Sequence, residues 1–351
     1  MIVYCTIVLG LLVVIHEGGH YLMARAFGVR VSEFMVGLPG PNVGFKWHGT
    51  KFGVTAVPLG GYARICGMEP GEESPHLQDT LAFVYERGTV NMEDVARELG
   101  ISDDDALAAL DELVEWGSIT GPKKADQYNT YRAPQVAGKD VDAIAEGMAR
   151  SVEDPHALFE QERSQQYRCL PFWKRALILL AGPGMNLLFT IVVIVIVYSV
   201  VGVDVQDTAT GEITHLTVGP LRSLAAGVSY IGMVLVAILG LFNPATAAET
   251  VSNSTSIVGI AVMSKTAAEQ GLLNFSMFAA MISVSLGLMN LLPIPPLDGG
   301  RFVVEVVQRI RRKDVTLRAL NAMSIAGITL FMLFFLFMLN QDVQRFVFGN
   351  W

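Results

Sequence analysis

Two histidines flank a glutamate in His16-Glu17-Gly-Gly-His20, the pattern H-E-x-x-H. Residues four apart lie on one face of a helix, so His16 and His20 can present two imidazole nitrogens to a single zinc ion. Glu17, beside them, reaches the water that such an ion activates. The chemistry is metal-assisted hydrolysis: the ion lowers the pKa of water, the carboxylate takes the proton, and the ion stabilises the oxyanion of a tetrahedral intermediate. A hydrolytic zinc site needs a third protein ligand and keeps its fourth position for water. Asp298 is the candidate, in Asn290-Leu-Leu-Pro-Ile-Pro-Pro-Leu-Asp-Gly-Gly300, where an apolar run breaks at prolines and two glycines allow close backbone approach. An Asp-Gly pair is also an ordinary turn. The pattern H-E-x-x-H arises by chance as well, and two helix histidines bonded to neighbouring carbonyls are the alternative to a metal pair. Its setting gives it weight, because ionisable side chains within an apolar helix are costly and rarely lack a partner or a function.

The elements that must carry these residues belong in a membrane. Hydrophobic residues make up 52% of the 351 and charged residues 17%, with a mean hydropathy of +0.44, unusual values for a soluble protein. Crossing roughly 30 Å of hydrocarbon takes about 20 apolar residues in a helix. Four runs qualify as spans: Met1 to Met23, Phe172 to Val203, Ser276 to Leu292 and Leu320 to Leu339. A fifth, Leu221 to Phe242, has suitable length, yet Arg222, Ser223 and Ser229 also suit an interfacial helix. The first run lacks a basic start and an A-x-A-like cleavage site, and reads as a retained helix. Basic residues set the orientation. Arg25 and Arg30 follow the first run, Lys174 and Arg175 open the second, and Arg309, Arg311, Arg312, Lys313 and Arg318 lie between the third and fourth. All are expected on the cytoplasmic side, with both termini outward if the spans number four. His20 and Asp298 then end on the same side. Cys5, Cys66 and Cys169 form no C-x-x-C pair and point to no disulfide framework or zinc ribbon.

Between the first two spans two kinds of sequence alternate with the membrane pattern. Val29 to Ile65 reads as short strands broken by glycines and by Pro39 and Pro58, a β-hairpin layer. An edge strand within Phe45 to Val57, with Phe45, Val54 and Val57 along it, is expected to pair with an unwound substrate by β-augmentation, or else to be merely structural. Residues 71–170 are charged and too long for a plain loop. A helix from Asn91 to Gly100, a second capped by Ser102, and a wing from Trp116-Gly-Ser-Ile-Thr and Tyr128-Asn-Thr-Tyr-Arg resemble a winged-helix module over about 81–132. Asn91 to Trp116 holds nine acidic residues against Arg97 alone, and the whole chain carries a net charge of −8. Such a surface repels nucleic acid and favours a cytoplasmic protein partner or self-association.

Three separated motifs now agree in order and topology: His16 to His20 in a first span, Ala181-Gly-Pro-Gly-Met-Asn186 opening the second, and Asn290 to Gly300 after a later one. Together they resemble the bacterial site-2 proteases, with matching regions over roughly 1–70 and 165–340. The resemblance implies a multi-pass zinc endopeptidase of the cell inner membrane, its active site towards the cytoplasm. The resemblance also implies substrates that are membrane-spanning segments, of anti-sigma-factor-like regulators or of signal-peptide remnants. It assigns His16, His20 and Asp298 to one zinc ion, Glu17 to catalysis and Asn290 to the substrate-facing wall. Gly182 and Asn186 match residues for which packing and catalytic support are both open. Two departures stand out. Asp204 to Pro220 is too short for the PDZ domain that many relatives carry there, and the acidic insert has no counterpart of known role. The expected architecture is an α-helical polytopic membrane protein of about four spans, divided as 1–70, the insert 71–170, and 171–351. A non-enzymatic membrane protein with a structural metal is the main rival, and Glu17 discriminates, because a structural site has no use for an unligated carboxylate. A transporter is disfavoured by the absence of a visible repeat.

Overall fold

With no water to satisfy backbone groups in hydrocarbon, long apolar runs must close their hydrogen bonds internally, and here each becomes a helix. The computed structural model describes residues 1–57, 60–68, 73–123, 126, 129–136, 144–206, 213–252, 254–313, 315–346 and 348. Helix α1 (Ile2–Ala26) leads into strands β1 (Val31–Val36), β2 (Asn42–Trp47), β3 (Thr50–Thr55) and β4 (Gly61–Ile65). The insert contains α2 (Leu77–Arg87), β5 (Thr89–Asn91), α3 (Met92–Leu99), α4 (Asp103–Glu115), β6 (Thr130–Arg132) and α5 (Pro155–Arg163). The remainder is α6 (Phe172–Ile196), β7 (Val203–Gln206), β8 (Ile213–Leu216), α7 (Pro220–Gly240), α8 (Ala247–Ser252), α9 (Ile257–Glu269), α10 (Leu272–Asn290), α11 (Asp298–Arg311) and α12 (Leu317–Phe346).

Where four spans are expected, five helices among the described residues are long and apolar enough to cross a membrane: α1, α6 with its extension to Val201, α7, α10 and α12 as far as Arg345. Two of the polar residues that make the α7 run ambiguous, Arg222 and Ser223, lie in its first turn. There Ser223 is buried, receives a hydrogen bond from Ser199 Oγ at 2.8 Å, and lies within bonding reach of the Val218 and Gly219 carbonyls.

Small residues let the central helices approach closely. Gly19 of α1 lies against the Ala181 carbonyl of α6, and Gly287 of α10 against Pro183 and Asn186 of α6. Thr190 Oγ1 donates to the Ala280 carbonyl at 3.0 Å and Ser283 Oγ to the Asn186 carbonyl at 2.9 Å, so α10 runs antiparallel to α6. Helix α7 does too, with Ser223 near Ser199 and Gly227 near Ile191. Thus α7 and α10 are parallel, and the chain must return between them through α8 and α9. The start of α9 is held by Asp342 of α12, whose carboxylate accepts from Ser256 N, Ser256 Oγ and Gly259 N at 2.7, 2.6 and 2.9 Å. Such bonding is what a buried carboxylate in an apolar helix requires.

The first four strands form one sheet in the order β2-β3-β1-β4, with β1 and β3 parallel and the other neighbours antiparallel. It packs on α1 through Tyr21, whose ring meets Phe34 at 5.7 Å and Phe52 at 5.4 Å. Pro58, expected to limit the ladder, lies outside the described residues. In the insert, α3 ends at Gly100 in the left-handed region and α4 starts at Ser102, whose hydroxyl accepts from Asp105 N. Asn91 occupies the cap position of α3, but its side chain accepts from Thr130 Oγ1 instead. A further helix, α2, precedes both. The strand β6 pairs with β5, and Thr120 bridges to Arg132; Tyr128 lies outside the described residues. Leu81, Leu110, Leu113, Trp116 and Tyr131 are part of the insert's buried core. Arg30, just past α1, ties the insert to the membrane helices by donating to the Gly117 carbonyl at 2.8 Å, Glu162 at 2.8 Å and Gln165 at 3.0 Å.

Candidate metal centre

The i, i+4 spacing on α1 sets His16 and His20 one turn apart, and both are buried. The chain of α6 crosses them where Pro183 interrupts its hydrogen-bond ladder. Proline has no N–H for the carbonyl four residues back, which loosens this turn. The neighbouring Ile178 carbonyl accepts from His20 Nδ1 at 2.8 Å. Gly182 lies under the same ring, so close that a Cβ there would collide with His20 Nε2. On the other side, His16 Nδ1 lies 3.2 Å from Asn186 Nδ2.

Asp298 comes to this point because α10 ends at Asn290 and the chain doubles back to start α11. Gly299 and Gly300 make the fold-back achievable: a Cβ on either would overlap the backbone of Leu291, Ile294 or Pro295. Asp298 Oδ2 then stands 3.1 Å from His16 Nε2 and 3.2 Å from His20 Nε2, while the two nitrogens are 3.3 Å apart. Donors about 2.0–2.1 Å from a tetrahedral zinc lie roughly 3.3 Å from one another. Two imidazoles and one carboxylate at this spacing fit that ion, and the side chains are only 9%, 8% and 17% exposed.

Glu17 lines the same space as His16 and Asp298. Its Oε2 accepts from the backbone N–H of Ala63 in β4 at 2.8 Å. A cavity of about 240 Å³ opens here, lined by His16, Glu17, Gly61, Asn290, Leu297 and Asp298 among others. One concave site therefore gathers the sequence-expected His16, Glu17, His20, Asp298 and Asn290, with Gly182 and Asn186 behind the imidazoles.

Phe45, Val54 and Val57 are not part of it. Val54 is paired on both sides, to Val43 and to Val36, so its strand has no free edge. Phe45 is on β2, at the far edge of the sheet from α1, stacked on Phe52 at 5.9 Å. Val57 follows β3, and its carbonyl accepts from Leu38 N. The edge beside Glu17 is β4. The Ala63 N–H and the Ile178 carbonyl, both backbone groups, are the functional atoms that side-chain motifs do not reveal. Only the Gly60-Gly61 pair marks that stretch in the sequence.

Comparison with known proteins agrees with this geometry. The model of the family described as Peptidase family M50 matches residues 4–334. The regulator of sigma-W protease RasP of Bacillus subtilis (strain 168) is 24% identical, over 97% of this chain and 97% of its own. A putative zinc metalloprotease of Rhizobium meliloti (strain 1021) is 30% identical over 88% of this chain and 86% of its own. The zinc metalloprotease RasP of Geobacillus kaustophilus (strain HTA426) is 24% identical, over 97% of each.

Proposed function

From the premise that this chain belongs to peptidase family M50 and is a multi-pass zinc metalloprotease, we propose that it hydrolyses peptide bonds within or beside membrane-spanning segments, with His16, His20 and Asp298 as the zinc ligands and Glu17 as general base. The convergence of three donor atoms at 3.1–3.3 Å beside a carboxylate that faces an open cavity carries this reading. Bound zinc supplies a Lewis acid that lowers the pKa of water and polarises the scissile carbonyl. Glu17 takes the proton from the attacking water and returns it to the leaving amine. The Ala63 N–H holds one carboxylate oxygen, leaving the other for that transfer. Asn290, across the cavity, contacts the substrate chain, and Gly182 packs His20 in place.

A helical substrate hides its carbonyls and must unwind to be cut. The outward edge of β4 is the surface against which it extends: strand alternation puts the N–H and C=O of Gly61 on the same side as the Ala63 N–H. The B. subtilis relative is named regulator of sigma-W protease RasP; for this chain the substrate class is single-span anti-sigma-factor-like regulators or signal-peptide remnants. The basic residues Arg25, Arg30, Lys174 and Arg309 to Lys313 favour a cytoplasmic position for the active-site end. The arrangement α2-β5-α3-α4-β6 supports a winged-helix-like insert, whose acidic α3 and α4 suit a cytoplasmic protein partner or self-association.

Glu17→Gln is expected to abolish cleavage of a co-expressed membrane substrate while zinc stays bound. Normal cleavage by this variant would remove the assignment, and comparative proteomics of small membrane proteins in cells carrying either form would identify the substrates.

A further inference from the structure

The two imidazoles of the metal centre are held differently, and the difference is chemical. An imidazole that gives its Nε2 lone pair to a metal carries its proton on Nδ1, which needs an acceptor. His20 has one in the Ile178 carbonyl at 2.8 Å. The Nδ1 of His16 faces the amide nitrogen of Asn186 at 3.2 Å, and two donors cannot bond to each other. The oxygen of that same amide is buried and has no hydrogen-bond partner among the described residues. Asn186 is fully buried, and its main-chain carbonyl is fixed by the hydroxyls of Thr190 and Ser283 at 3.1 and 2.9 Å. A half-turn of the planar amide exchanges oxygen for nitrogen with almost no change of shape. It places the orphaned acceptor on the His16 Nδ1–H.

We propose that Asn186 is the positioning residue of the metal centre: in the zinc-loaded enzyme its side-chain oxygen accepts from His16 Nδ1–H and fixes the tautomer that leaves Nε2 free for the ion. The proposal rests on the reading of His16 as a zinc ligand. Asn186 plays for α6 and His16 the part that the Ile178 carbonyl plays for His20, so one helix orients both imidazoles. Removing such an outer partner typically weakens metal binding about 10–100-fold.

The test is zinc retention by the purified full-length enzyme in detergent against a graded chelator, alongside circular dichroism to show that the helices persist. Asn186→Leu keeps the volume and removes the acceptor, and is expected to lose zinc at about 10–100-fold lower chelator strength. Asn186→Asp keeps an acceptor and is expected to stay close to wild type. Cobalt-loaded Asn186→Leu is expected to show a ligand-field spectrum unlike that of wild type and of Asn186→Asp. Equal retention by Asn186→Leu and wild type would overturn the proposal, as would equal loss by the Leu and Asp variants in a folded protein. If Asn186→Leu does not fold, Asn186→Ala replaces it under the same criteria. His16→Ala separates the two levels. Zinc held by that variant removes the ligand assignment itself, whereas zinc lost there and kept in Asn186→Leu removes only the role of Asn186.

Discussion

Gly182 has no side chain because the His20 ring fills the space where one would be. Adding even a methyl group must move the imidazole or part α1 from α6, and overpacking of this kind costs about 1–3 kcal/mol. Gly182→Ala is therefore expected to lower zinc retention and activity together, measured by metal content and cleavage of a membrane substrate. Gly184, on the same helix, has open space around it, and its alanine variant is expected to behave as wild type. The cysteines make a second prediction outside the membrane helices. Burial pushes the Cys66 thiol up to about 11, further than the nearby Arg30 guanidinium lowers it. At pH 8 only about a thousandth of it is thiolate, the reactive form. Alkylation of the folded protein at pH 8 should modify exposed Cys169 first. Cys66 should react only on unfolding or as the pH is raised towards 11, which mass spectrometry of labelled peptides resolves.

At the scale of elements, β4 does two tasks, one on each side. Its inward side pairs with β1, from Val36–Gly61 to Val31–Ile65, and its outward side gives the Ala63 N–H to Glu17. Ala63→Pro removes that outward donor alone and leaves the ladder to β1 intact, since proline is tolerated where a strand's N–H faces outward. A hydrogen bond to a charged group is worth about 1.5–3 kcal/mol. Cleavage by Ala63→Pro should fall by roughly 10–100-fold with zinc retained, whereas proline in β2, the other edge, should leave the rate nearly unchanged. Equal loss from both edges would show that the sheet acts only as a support. The outcome for β2 and β4 also marks a limit of sequence. Alternation and glycines identify the strands, but β1 pairs in parallel with β3 and inserts between it and β4. Strand order depends on contacts among residues distant in the chain, and Phe45, Val54 and Val57 have no local feature to reveal that their hairpin is turned away from Glu17.

For the whole molecule, the number of apolar helices and the sidedness of the active site separate. A fifth spanning helix would ordinarily invert everything after it. Here α7 and α10 run parallel, so the segment between them brings the chain back, and α10 still ends on the side where α1 ends. Single cysteines at Arg25 and Lys313, in a background lacking the native three, should label from the same side of the membrane, and one at Thr217 from the opposite side. Labelling of positions 313 and 217 from one side would contradict this path. The sequence by itself marked out the candidate metal donors His16, His20 and Asp298, Glu17, the apolar helices and the acidic insert, because each is written in residue type and local pattern, and helix geometry converts the spacing of His16 and His20 directly into a shared face. Only the tertiary structure decided which sheet edge meets Glu17, that α7 has a returning partner, and that His20 and His16 lean on a backbone carbonyl and on Asn186 of one helix. Those outcomes depend on close packing at Gly19, Gly182 and Gly287 and on main-chain atoms that every residue carries alike, so no local pattern records them.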